Sequence, residues 1–337
     1  MRELLEVDGV TLGYPLAFVP AMLMYDPAQF ERMGVPQPTN DWQIGDFILA
    51  LQLLRPDSTA GPVLGASAAN DYFQPLVAAY GGNPLDFSTT PPTINLTQPQ
   101  TVEALRQVLD LARGGYTTYH ETPVPGSSVF SMLQGLPLWH SDVMVEQFQA
   151  GQSNAAAYPM VLYPRGSSSS PLPITPIMGY ISRQSLHPEA CYRWLSYLSL
   201  RPDVVGMPAR LSQVDEFVTV SGLGDSVFEV YAAMEARAAV PGSLQLSSVN
   251  NEIYSGRFEI QLRAHQAYDQ YVLENVPLDT ALASAQSDIE LFLACIVDVP
   301  PLAQLVQLSD FERAQYDDQY KNCVRNNLPV AAWLYGG

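Results

Sequence analysis

Apolar positions recur along this chain with two different periods. Residues 10–25 are almost continuously apolar and aromatic, and Gly13 and Pro15 argue against a helix, so an extended segment is predicted. Thr39, Asn40 and Asp41 offer helix caps. Trp42, Phe47, Ile48, Leu51 and Leu54 then recur at helical spacing until Pro56, Asp57 and Ser58 end the pattern. A second helix is predicted from about Pro99 to Arg113, with Val102, Leu105, Leu109 and Ala112 on one face and Gly114-Gly115 as its C-cap. Residues 136–140 and 155–163 predict short buried strands. The Ser- and Pro-rich stretch from Arg165 to Pro176 predicts a loop, and Ile177 to Ser182 a strand. Pro188 opens a helix bearing Cys191, Trp194, Leu195 and Leu198. Asp279 is the predicted cap of a helix with Leu282, Ala285, Ile289, Phe292 and Ile296 on one face. Ser309 and Glu312 have capping-box spacing for a last helix. Strands alternating with helices predict an α/β class with largely parallel sheets.

Composition narrows the partners. The 337 residues carry 34 acidic and 16 basic side chains, a formal net charge of −18, so the chain repels phosphate backbones and nucleic acid is excluded as a partner. Lys321 is the only lysine. No apolar run approaches the ~18 residues of a membrane helix. The start, Met1-Arg2-Glu3-Leu4-Leu5-Glu6, has no hydrophobic signal core, so no export signal is expected in this chain.

Chemical motifs are sparse. Gly222-Leu223-Gly224 lacks the third glycine of a dinucleotide loop, because Val227 stands there. No phosphate loop, nucleophile elbow or zinc-helix motif occurs. The histidines His120, His140, His187 and His265 are scattered, and Cys191, Cys295 and Cys323 lack metal-ligand spacing. No catalytic residue, cofactor or metal site is predicted, which favours a binder over an enzyme.

Seven segments, in order, resemble the extracellular solute-binding proteins of the maltose-binding type. They are Asp8-Gly9 with Gly13-Tyr14-Pro15 and Met24 to Phe30; Met33 to Thr39 with Asp41-Trp42; Tyr80-Gly81-Gly82-Asn83; Phe130 to Gly135; Ser182 to Ser185 with His187 to Ala190 and Trp194 to Ser199; Met207-Pro208-Ala209-Arg210; and Asp279 to Gln286. The resemblance implies a type II periplasmic-binding-protein fold with two lobes and a hinge. It also implies that the first lobe is incomplete, because the family's export signal and opening βαβ portion have no match here. The chain would cross between lobes near Ala17–Pro20, Pro164–Pro176 and Val214–Val220. Residues 1–17 and 165–214 would form the partial first lobe. Residues 18–164 and 215–337 would form the second, with 297–337 as a helical tail.

By the same resemblance, the implied function is capture of a solute, a sugar or oligosaccharide, for the permease subunits of an ABC importer. The full-length protein would be extracytoplasmic, periplasmic or anchored at the cell surface as a lipoprotein. Implied ligand contacts are Phe18 and Val19 after the first crossing; Asp71 and Tyr72 before the Gly81-Gly82 region; Ser141 and Asp142 after the strand 136–140; Met178, Gly179 and Tyr180; and Tyr254 and Arg257 at the start of a late helix. Gly179 would let backbone approach the ligand. Val19 stands where maltose-type relatives carry an acid, removing hydrogen bonds worth ~1.5–3 kcal/mol to a sugar hydroxyl. The competing readings are a truncated scaffold of the same fold without ligand, and a secreted hydrolase.

The tail after residue 296 matches no family segment. The helix that ends at Cys295 and the predicted last helix, joined through Pro300-Pro301, suggest an antiparallel hairpin. Cys295 and Cys323 both lie towards the C-terminal ends of those helices. The sequence leaves two outcomes open: a disulfide closing a loop of about 28 residues, or two unrelated thiols.

Overall fold

The structure is a computed structural model of the whole chain. It describes residues 6–7, 10–11, 13–57, 59–65, 73–87, 89, 91–119, 135–142, 158–166, 172–182, 184–201, 206–221, 226–239, 244–246, 256–300 and 308–335. The strands are β1 (Glu6–Val7), β2 (Val10–Thr11), β3 (Tyr14–Tyr25), β4 (Leu64–Gly65), β5 (Leu85–Asp86), β6 (Thr93–Ile94), β7 (Leu138–Asp142), β8 (Met160–Leu162), β9 (Leu172–Gly179), β10 (Met207–Pro208) and β11 (Leu244–Leu246). The helices are α1 (Pro27–Met33), α2 (Ile44–Leu54), α3 (Phe73–Ala79), α4 (Pro99–Arg113), α5 (Pro188–Leu198), α6 (Val214–Ser221), α7 (Ser226–Ala238), α8 (Arg257–Val272), α9 (Leu278–Cys295) and α10 (Asp310–Asn327). The chain divides into two compact units. One holds residues 1–79 and 114–249; the other holds 80–113 and 250–337.

The first unit is built on β3. Its apolar run makes it a buried strand, and it is the hub of a seven-stranded sheet. Residues Tyr14 to Pro20 pair antiparallel with β9, and β10 pairs with Ala17 and Phe18. From Ala21 to Tyr25 the partner is β7, with β8 beside Met22 to Met24. Pro20 stands at the changeover, and proline has no N–H to give to a ladder. β11 runs parallel to β9 and β4 parallel to β7. The sheet is therefore mixed rather than largely parallel, because every neighbour of its central strand is antiparallel to it.

Three local expectations change. The stretch read as a loop up to Pro176 is strand from Leu172 onward, ending at Gly179. Leu172, Ile174 and Pro176 alternate into the buried face, and that alternation outweighs the ladder bonds lost at Pro173 and Pro176. Helix α2 starts at Gln43 and Asp46, whose carboxylate accepts from the Gln43 N–H at 3.0 Å, rather than at Thr39–Asp41. Asn40 instead accepts from the backbone N–H of Leu162 at 2.9 Å. In α5, Leu195 is buried as expected, but Trp194 is 59 % exposed.

β10 comes so close to β3 that Gly206 has a special role. Its φ is +71°, and a Cβ there would lie 2.9 Å from the Phe18 carbonyl oxygen. Gly206→Ala is expected to cost at least about 1–2 kcal/mol from the left-handed backbone alone. Gly61→Ala, which meets nothing within 4 Å, is expected to be near neutral. Equal urea midpoints for the two variants would show that this approach relaxes freely.

The second unit is helical. α4 has the bounds that its periodicity predicts, and Gly115 beyond it has φ +71°. Tyr271 of α8 donates to Asp110 of α4 at 2.6 Å, and the Arg113 guanidinium lies 4.5 Å over the Tyr271 ring. Arg263, buried between α8 and α9, reaches Asp288 at 2.8 Å and Ser284 at 3.0 Å. Asp279 does not cap α9, whose N-cap is Pro277; it pairs with Arg106 at 3.0 Å. The capping box of Ser309 and Glu312 opens α10 as predicted.

The tail helix α10 packs on α9, but not as an antiparallel hairpin. Phe292 meets Tyr320, with ring centroids 5.9 Å apart, and Cys295 is bonded to Cys323. Both contacts join residues with the same offset of 28, so the helices meet near their C-terminal ends in the same sense. This overlap lets the two cysteines pair.

Candidate ligand-binding site

Four of the residues expected to touch a ligand lie along the strands near the β3 changeover, Phe18 and Val19 on β3 and Ser141 and Asp142 at the end of β7. Asp142 is paired with Ala21 and Ser141 with Met22. Val19 is therefore about 7 Å along the strand from the residue opposite Asp142. Val19 and Phe18 are themselves buried. Phe18 packs edge-on against Tyr231, at 5.7 Å between centroids, within a core that includes Met22, Trp139 and Phe217. Across β3 from the β10 side, Val19 faces Thr175, which is exposed. Thr175 lies in the stretch read as a loop, where no strand register was available to nominate it.

Met178, Gly179 and Tyr180 lie at the other end of the same ladder. Gly179 pairs with Tyr14 and Met178 with Pro15, about 10–17 Å along β3 from Phe18 and Val19. The space in front of Gly179 is taken by a side chain of the protein: a Cβ there would stand 2.3 Å from Leu195 Cδ2. Its missing side chain thus admits helix α5 to the sheet. Tyr180 is about half exposed. Arg257, in the helical unit, places its guanidinium 4.5 Å over the Phe87 ring, and burial lowers its pKa. Asp71, Tyr72 and Tyr254 lie outside the described residues.

Two polar clusters in the sheet unit were not nominated from sequence as site residues. At the start of β3, Arg210 donates to the Tyr14 hydroxyl at 2.6 Å, and the Ser199 hydroxyl lies 3.3 Å from it. Burial raises the Tyr14 pKa, but hydrogen bonds with Ser196, Ser199 and Arg210 outweigh it and bring the phenol below its ordinary value. Behind β8, His140 Nδ1 is 2.6 Å from the Tyr163 hydroxyl, and both residues are buried. Arg237, 1 % exposed, donates to the Tyr163 carbonyl at 2.7 Å and the Asn40 carbonyl at 2.6 Å. Long-range contacts of this kind leave no local signature.

Among the described residues, no group of three His, Cys, Asp or Glu side chains is placed to hold a metal, and no helix is long and apolar enough to cross a membrane. No protein-family model matches the sequence, and comparison with curated proteins finds no match. Solved structures do match. An ABC substrate-binding protein of Listeria monocytogenes, in complex with cycloalternan, superposes with a TM-score of 0.62 at 14% identity, over 86% of this chain and 73% of that one. The chain has the fold of the ABC solute-binding proteins. The sugar-binding protein MalE of Xanthomonas citri gives the same TM-score of 0.62 at 14% identity, over 87% of this chain and 73% of that one. UgpB of Mycobacterium tuberculosis, in complex with glycerophosphocholine, matches at 0.62 and 16% identity, over 88% and 73%. The architecture is thus the type II periplasmic-binding-protein fold that the ordered motifs implied.

Proposed function

We propose that this chain captures a carbohydrate and delivers it to the permease subunits of an ABC importer, without transforming it. The observation that carries the reading is the solute-binding fold itself, in which one strand, β3, serves two groups of partner strands. The proposed lobes are residues 1–17 with 165–214, and 18–164 with 215–337. The first boundary falls beside the β3 changeover, where Val19 pairs with Thr175 on one side of β3 and Ala21 and Met22 pair with Asp142 and Ser141 on the other. Ligands of open α/β sheets sit beyond the carboxyl ends of the strands, and β7 ends at Asp142; hydroxyl-rich sugars need polar groups beside aromatic or apolar surface. Neighbours solved with cycloalternan and with α-D-tagatose support the substrate class. The disulfide supports an extracytoplasmic site of action, because such bonds persist in oxidising compartments.

A thermal-shift series tests it. Maltooligosaccharides and cyclic glucans are expected to raise Tm, by the equivalent of about 2.7 kcal/mol at a hundred times Kd. Asp142→Ala is expected to weaken that shift. The oligosaccharide should be recovered unchanged after prolonged incubation. Shifts confined to amino acids, peptides or glycerophosphocholine would reject the carbohydrate assignment. Hydrolysed sugar would reject the assignment as a binder.

A further inference from the structure

Helix α5 carries an open groove on the side turned away from the sheet. Leu195 fixes the helix to Gly179 of β9, with Cys191 and Leu198 half-buried beside it. The groove has a volume of about 680 Å³ and eight lining residues, all of them exposed. At 3.6 residues per turn, Glu189 and Arg193 share one flank of it and Trp194 stands on the other, with Tyr197 between. Trp194 and Tyr197, 59% and 49% exposed, stack at 5.7 Å between centroids, and Leu186, just before the helix, is 89% exposed. Glu189 precedes Arg193 by four residues, a spacing at which such charges pair along a helix. Among the described residues, however, neither has an ion-pair partner. The face therefore offers one open acid, one open base and a stacked aromatic pair.

Charges of both signs on one helix face are self-complementary under a two-fold axis. Such an axis runs two copies of α5 antiparallel and sets each flank against the same flank of the other copy. Glu189 then meets Arg193 of the second copy, and Arg193 meets its Glu189. On the other flank Trp194 meets His187, and between the flanks Leu186 meets Tyr197. The midpoints of these three pairs all lie within one residue of position 191, so a single axis forms all of them, each twice. Ala190, on the same face, has no bulk to hold the helices beyond the roughly 8–10 Å of packed helices. Eight exposed residues, two of them large aromatics, offer an area on the order of the 800 Å² per partner of a standard interface. A carboxylate or ammonium ligand would face a like charge in this groove, and a sugar would find one face of each ring already taken. The net charge of −18 opposes pairing, but it is screened over about 8 Å at physiological salt, and the groove itself carries no excess of acid. We infer that the α5 groove is a self-complementary interface through which two copies of this chain dimerise. The inference goes beyond the carbohydrate reading and does not depend on it.

Sedimentation equilibrium of the full chain at physiological salt tests it. The chain is expected at twice its 37.0 kDa mass, with a Kd tighter than about 100 µM. Glu189→Arg and Arg193→Glu each set like charges together twice, and each should weaken the dimer at least about tenfold. The two variants mixed in equal amounts should regain the parent's dimer, because each supplies the charge that the other lacks. The doubly reversed chain should regain it too. Trp194→Ala should weaken the dimer as strongly as either reversal. All three positions are exposed, so each variant should keep the parent's circular dichroism. A parent that is still a monomer at about 100 µM overturns the inference. If maltooligosaccharide then quenches its fluorescence, and Trp194→Ala abolishes the quench, the groove is a sugar platform instead. A dimer that neither charge reversal weakens also overturns the inference, as does a mixture of the two variants that stays monomeric. The masses are measured without ligand, so failure here is separable from failure of the carbohydrate reading.

Discussion

Arg237→Ala is expected to destabilise the sheet unit by about 3–5 kcal/mol, the loss of two hydrogen bonds from a charged donor to one buried and one partly buried carbonyl. The guanidinium ties the Tyr163 carbonyl at the end of β8 to the Asn40 carbonyl before α2, at 2.7 and 2.6 Å. Asn40 in turn accepts from Leu162, and Trp42 donates its indole N–H to the Leu162 carbonyl at 2.9 Å. One side chain from α7 therefore fixes the segment leading into α2 against the edge of β8. Burial, and then the charge of Arg165, lowers its pKa to about 10, with Asp41 partly offsetting them. The group stays charged at neutral pH, so these carbonyls must offset a buried cation. Arg237→Lys keeps the charge but cannot span both carbonyls with a planar fork, and should fall between alanine and the parent. Urea unfolding followed by tryptophan fluorescence and circular dichroism measures the series. An alanine variant within about 1 kcal/mol of the parent would mean that the two carbonyls find water or other donors at little cost.

Legibility in the sequence followed the range of the interactions. α4 was readable to the residue because its apolar spacing, its starting Pro99 and its closing Gly114-Gly115 are all local signals. The capping box of α10 was readable for the same reason. β9 was misread because Pro173 and Pro176 look like punctuation, whereas its place between β3 and β11 is decided by partners about 70 to 160 residues away. Asn40 looked like a helix cap and is spent on Leu162, 122 residues along the chain. Trp194 sits at core spacing, yet helical period alone cannot tell which of two apolar faces has a partner. The fold class was legible because order among weak motifs survives where identity does not. The candidate site was legible only in part, since strand register decides which residues share a surface. Register placed Asp142 beside Ala21 and brought Thr175 to Val19.

Breaking the Cys295–Cys323 bond is expected to lower the stability of the helical unit by about 3.5 kcal/mol on the chain-entropy account, as the closed loop separates residues 28 apart. That corresponds to a fall in Tm on the order of 10 °C. The sequence alone left the pair undecided, because antiparallel helices would have kept the two C-terminal ends apart. The same-sense contact of α9 and α10 brings the Cα atoms to 5.7 Å, within the usual span of a disulfide. Cys323 is buried beside Val324, and the turn Pro329–Tyr335 packs back onto α8 and α10, so the bridge ties the tail to the helices that form the core. Cys295→Ser, Cys323→Ser and the double variant should show the same loss, because any one of them opens the loop. Cys191→Ser should be silent as a redox control, since Cys191 is the free thiol among the described residues. The parent melted with and without dithiothreitol reports the same difference. Intact mass under non-reducing conditions should lie two hydrogens below the reduced mass. A parent whose melting is unmoved by reductant, with all three thiols open to alkylation after expression in an oxidising compartment, would sink the prediction. It would also remove the covalent support for an extracytoplasmic protein.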